Sequence, residues 1–110
     1  MPATHLTRCA RREVQSHPEF RRTPVLMKDW VVHPLQLADA VDCGAVGVIG
    51  AVCQVTSPKG TLTLSQYGTS RGLDMPIEVV NAAELKAMEQ GGVTLYAFVS
   101  GRAGQGLLAS

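Results

Sequence analysis

The chain has no C-x-x-C pair, no apolar run long enough to span a bilayer, no marked excess of either charge, and no internal repeat or low-complexity tract. Each absence excludes something. Cys9, Cys43 and Cys53 leave an odd thiol and no paired spacing, so neither a disulfide framework nor a zinc site is expected, and a reducing compartment is the default. Ten Lys and Arg against nine Asp and Glu give a formal charge of +1. Nucleic acid or an acidic membrane surface would normally call for a strong basic excess, so neither is expected as a partner. The longest apolar stretch, "AVGVIGAVC" from Ala45 to Cys53, is about half the roughly 20 residues of a spanning helix. His5, His17 and His33 show no ligand spacing, and no metal or cofactor is expected.

What remains is a chain of 110 residues, 45% hydrophobic and 17% charged, the profile of one soluble globular domain. Residues 1–23 read as an outer helix and loop, 24–99 as β-α units, and 100–110 as a glycine-rich tail. The first two dozen residues hold Arg8, Arg11, Arg12, Arg21 and Arg22 against Glu13 and Glu19. That composition superficially resembles an organelle transit peptide, which leaves cytoplasm and plastid both open. The alternative is an exposed helix from Thr4 to Gln15 with a thin apolar stripe at Leu6, Cys9 and Val14.

From residue 24 the apolar pattern alternates between short runs and helical stripes. Val25 to Met27 is a strand-like run that meets a charge at Lys28. Pro34 then opens a helix whose stripe of Leu35, Leu37, Ala38 and Val41 stops at Gly44. "AVGVIGAV" reads as one strand buried on both faces. Residues 57–73 are ambiguous, because "TLTLS" alternates with period two where the β-α order asks for a helix. "MPIEVV" is a further short strand, and Asn81 with Glu84 opens a helix that ends at Gly91 and Gly92. "VTLYAFV", Val93 to Val99, is the last strand-like run. Such alternation predicts an α/β fold of parallel strands joined by right-handed crossovers. "GRAGQG" after it has no helix to follow and reads as tail, not as a phosphate loop.

Lysines are almost never fully buried without a partner, so either the first strand ends at Met27 or Lys28 sits where a strand opens onto a cleft. Glu78 stands near the end of the strand after next. In a (β/α)₈ barrel, alternate strands contribute to the same layer and chemistry sits at their C-terminal ends. An ammonium and a carboxylate would converge there, a pairing suited to general acid–base work. Asp29 is expected to turn to the opposite face, as an acceptor for a loop or helix.

The wording of these residues is also informative. "PVLMKDWVVHPLQLADAVDCGAVGVIG" resembles the indole-3-glycerol-phosphate synthase family, in which a strand P-[IVL]-L-x-K-[DE]-F-[IV]-[IV] precedes D-P-x-Q-[IL]. Pro24, Leu26, Lys28, Asp29, Pro34 and Gln36 match in place, with Trp30 for the aromatic. "PIEVVNAAELKAMEQGG" is similar to a second family stretch through Glu78, Val79, Asn81 and Glu84. The resemblance implies part of a TIM barrel, roughly strands three to six. It also implies a carbon-carbon lyase of tryptophan biosynthesis that closes the ring of an anilino-deoxyribulose phosphate with loss of carbon dioxide and water. Under it Lys28 is the general acid, Glu78 takes part in proton transfer, and Ser100 and Arg102 contact the substrate. His33 stands where the family has a capping Asp, and Val99 where it has an Asn.

A whole barrel takes about 250 residues. Three expectations follow: an enzyme completed by a complementing barrel fragment or by self-association, a truncated non-catalytic paralogue that serves as an interaction or sugar-phosphate-binding module, or part of a longer product.

Overall fold

A computed structural model describes residues 11–97. Its strands are short, and all pair in parallel. Strand β1, Leu26–Lys28, lies beside β2, Gly47–Ile49, with Leu26 opposite Gly47 and Lys28 opposite Ile49. Strands β3 (Ala51–Val52), β4 (Ile77–Glu78) and β5 (Tyr96–Ala97) form a second sheet in that order. A parallel bridge between Gly47 and Asp74 ties the two sheets together, with Val48 N–H donating to the Asp74 carbonyl at 2.9 Å and Asp74 N–H to that of Val46 at 3.0 Å. The strands therefore lie side by side in chain order, β2 and β3 forming one interrupted strand.

The interruption is at Gly50. "AVGVIGAV" was expected to be one strand; the structure corrects this, because Gly50 adopts φ +130°, a conformation that side chains resist. Residues 47–51 run level with 74–77, five against four, so the β2–β3 strand carries one extra residue. That residue shifts the alternation of faces. Ile49 is level with Lys28, and Val52, three residues on, is level with Glu78. Level residues on neighbouring strands share a face, so all four belong to the same side of the sheet.

The opposite side packs against helices α1 (Pro34–Asp42), α2 (Pro58–Ser70) and α3 (Ala82–Gln90). Met27 from β1, Val48 from β2 and Ile77 from β4 are essentially fully buried there, with Leu37 and Ala40 of α1, Leu64 of α2 and Met88 of α3. Each large aliphatic side chain so buried contributes about 1.5–3 kcal/mol before entropy is counted. Helix α1 begins as the sequence implies, with Pro34 at its first position, and ends where Gly44 takes φ +89°. Helix α3 is capped by Asn81, whose Oδ1 accepts from Glu84 N–H at 2.8 Å.

Residues 57–73, left ambiguous by the sequence, resolve as α2. Ser57 caps it, accepting from Gly60 N–H at 3.0 Å, and Thr61, Leu64, Ser65 and Gly68 form its buried face. Within the expected strand 93–99, Tyr96–Ala97 has strand geometry, and residues 98 and 99 lie outside the described residues. Residues 11–15 are helical, and a short 3₁₀ turn follows at Pro18–Phe20. The architecture is α/β, compatible with a segment of a barrel. Among the described residues no helix is long and apolar enough to cross a membrane.

Candidate functional site

β1 runs through Lys28, so the lysine is the last residue of its strand and not the first of a loop. Glu78 is the last residue of β4. With every strand parallel, both side chains emerge at the same end of the sheet, on the face that the helices leave open. They line one cleft of about 360 Å³ together with Asp29, Trp30 and Gly50. Lys28 is exposed and Glu78 half-buried, and no ion pair within 4.0 Å joins them: the only such contact among the described residues is His17 to Glu13 at 3.6 Å. The ammonium and the carboxylate thus face shared space instead of neutralising each other.

The extra residue at Gly50 shapes this cleft. Gly50 C=O accepts from Val31 N–H at 3.1 Å, and Ile49 C=O from Asp29 N–H at 3.0 Å, so β1 and its loop are held against the kink. A Cβ at Gly50 would land on the Asp29 carbonyl oxygen. Only a glycine lets the two backbones approach this closely, and their approach sets the floor between Lys28 and Glu78.

The loop after Lys28 is fixed by its own polar groups. Asp29 Oδ1 accepts from Trp30 N–H at 2.8 Å, and Gln36 Nε2 reaches Asp29 Oδ2 at 3.5 Å. Gln36 Nε2 also donates to the Trp30 carbonyl at 2.9 Å, while its Oε1 accepts from Val32 N–H at 2.7 Å and His33 N–H at 3.0 Å. His33 Nδ1 accepts from Leu35 N–H at 3.1 Å, completing a capping box in which histidine does the work of the usual Asp or Ser. Asp29 is the loop acceptor the sequence led one to expect, and the residue also contributes to the lining of the cleft.

Sequence reasoning missed Trp30 and Gly50. Trp30 is 64% exposed, unusual for so large an apolar ring, and its position two residues after a strand-end lysine was the available signal. Gly50 lay hidden inside an unbroken apolar run. Ser100 and Arg102, and the "GRAGQG" stretch, lie outside the described residues. Cys53, just beyond β3, is buried, and burial followed by the Glu84 carboxylate raises its thiol pKa above the ordinary 9.0, with the Thr61 hydroxyl partly offsetting this. Little thiolate forms at neutral pH, so Cys53 is not an activated nucleophile. Among the described residues no group of three or more His, Cys, Asp or Glu is arranged to hold a metal ion.

No protein-family model matches the chain. Over 77 residues, 70% of its length, it is 32% identical to an indole-3-glycerol phosphate synthase of Staphylococcus haemolyticus (strain JCSC1435). The chain spans 29% of the length of that relative. The likeness suggests the family at most.

Proposed function

We propose that the chain carries the acid–base part of an indole-3-glycerol-phosphate synthase-like site, within one sector of a (β/α)₈ barrel. The observation that supports this most is the convergence of Lys28 and Glu78, from strands that are not neighbours, on one cleft at the C-terminal end of a parallel sheet. That is where barrel enzymes keep their chemistry. In this reading the substrate is an anilino-deoxyribulose phosphate. An aromatic carbon attacks the ribulose carbonyl, and Lys28 gives that oxygen a proton as it becomes a hydroxyl. The bond from the attacking ring carbon to its carboxylate then breaks, carbon dioxide leaves as a neutral molecule and the bonding pair restores aromaticity, while Lys28 takes a new proton from solvent. The hydroxyl then takes a proton from Lys28 and leaves as water, and Glu78 removes a proton from the adjacent carbon, whose C–H bonding pair becomes the indole double bond. A cation is needed where negative charge develops on oxygen, and a carboxylate where a proton must be taken up.

The test is turnover, followed by release of carbon dioxide and appearance of the indole chromophore, in the chain or in any longer protein that contains it. Lys28→Ala should lower kcat by about 10²–10⁴-fold with a much smaller change in KM, and Glu78→Gln should also be damaging. Asp29→Asn should matter less, because that carboxylate serves the loop backbone. Near-normal turnover of Lys28→Ala would remove the assignment.

A second reading is a non-catalytic sugar-phosphate-binding or interaction module, favoured by Val99 where the resembled family has Asn. Calorimetric binding of the substrate with no turnover would support it over the first.

A further inference from the structure

We propose that two copies of this chain close a single eight-stranded parallel barrel, the β1 edge of each pairing with the β5 edge of the other about a two-fold axis that runs along the strands. The proposal stands on strand order and free edges and not on the chemistry suggested for the cleft, so a dimer without lyase activity would sink the reaction alone.

The strands follow one another in chain order, every pair is parallel, and the helices that cover them pack α1 against α2 and α2 against α3. This is an arc wound in one sense, unlike an open sheet whose order reverses at a switch point. Among the described residues, both ends of the arc carry backbone groups without a partner. On β1 the groups of Met27 face β2, so those of Leu26 and Lys28 point outward; on β5 the Leu95 carbonyl accepts from Ile77 N–H at 3.0 Å, so those of Tyr96 point outward. Among the described residues nothing pairs with them. A large apolar side chain marks each edge, Leu26 at 49% exposure and Leu95 at 47%, and Trp30, Val32 and Leu35 extend the apolar surface beyond β1.

Free edges beside apolar surface are a template for strand addition, and natural sheets normally cover or close them. The occupant must present a parallel edge with its strand C-termini at the same end. A two-fold axis perpendicular to the strands would set the copies antiparallel, whereas one along the strands keeps every strand parallel and makes two identical β1–β5 seams. Four strands from each copy then give eight, the number at which a barrel interior is just filled by side chains. The open face that carries Ile49, Val52 and Ala97 would become that interior, and the Lys28 and Glu78 of both copies would meet at one mouth with no net charge between them.

The test uses the 110-residue chain itself, by sedimentation velocity and native mass spectrometry from nanomolar to high micromolar concentration. A closed dimer is expected. A Leu26→Cys chain mixed with a Leu95→Cys chain should cross-link with a short bis-maleimide as the 26–95 pair, in preference to 26–26 or 95–95. Leu95→Lys, at an already exposed position, should weaken dimerisation by about tenfold or more while leaving helical circular dichroism unchanged. A cooperatively folded monomer at every concentration would overturn the proposal. So would preferred 26–26 or 95–95 cross-links, or an open ladder of trimers and larger species.

Discussion

Gly50→Ala isolates the one backbone feature on which both the fold and the cleft depend. Gly50 sits at φ +130°, in a region that is nearly glycine-only and costs a residue with a side chain about 1–3 kcal/mol. The steric term is worse, because the new Cβ would fall on the Asp29 carbonyl oxygen, which is backbone and cannot rotate away. Relief requires the end of β1 to draw back from the kink. That would break or stretch the Val31 N–H to Gly50 C=O bond of 3.1 Å and the Asp29 N–H to Ile49 C=O bond of 3.0 Å, each worth about 1 kcal/mol net. The expected loss is therefore about 3–5 kcal/mol, a large share of the roughly 5–15 kcal/mol that holds a domain together. Urea unfolding followed by circular dichroism measures it, at one fixed protein concentration because any self-association adds to apparent stability. Gly72→Ala is the matched control: it has φ +85° but open space around the added methyl, so it should cost only about 1–2 kcal/mol. If Gly50→Ala lost less than about 1 kcal/mol with an unchanged urea slope, or no more than Gly72→Ala, the close approach would not be what holds β1 to the kink.

Elements whose ends carry strong local chemistry were legible in the sequence. Asn81 and Glu84 predicted the start of α3 because a side-chain acceptor three residues before a free N–H has one good place to go. Even there the structure adds a detail, since the Glu84 carboxylate reaches Val80 N–H at 3.0 Å, one residue before the cap. Helix α2 was hidden because its buried face is not hydrophobic: Thr61, Ser65 and Gly68 accompany the single Leu64. Each small residue answers a tertiary neighbour that the sequence does not announce. A Cβ at Gly68 would meet the Met75 sulfur at 2.6 Å, and the Thr61 hydroxyl is bonded to that of Thr56 at 2.8 Å. Periodicity counts apolar residues, so a helix that packs by close approach escapes it. Lys28 and Glu78 were legible for the opposite reason. A charge at the end of an apolar strand conflicts with its surroundings, and such conflicts mark places where a site is worth seeking. Gly50, which sets the floor between them, breaks no pattern and could be found only from the backbone.

Two further outcomes are expected. Gln36→Ala should cost about 2 kcal/mol and His33→Ala about 1 kcal/mol in urea unfolding, because Gln36 serves four groups of the β1–α1 loop while His33 supplies a single cap bond; the reverse order would refute this account of the loop. Stability should also fall at alkaline pH. Burial, and then the Glu84 carboxylate, raise the Cys53 thiol above 9.0 in the fold, so the unfolded chain releases that proton first and is stabilised relative to the fold as pH rises past 9.0, while below it the thiol favours neither state. Tyr96 acts in the same direction from 10.0 upward, since burial and the Glu89 carboxylate raise its phenol and the neutral hydroxyl donates to the Val93 carbonyl at 2.8 Å. The urea midpoint should therefore decline as pH passes 9.0, and Cys53→Ala should flatten the first part of that decline. A midpoint in the unsubstituted chain that holds or rises from pH 9.0 to 10.0 would show that Cys53 is less enclosed than its 3% exposure implies.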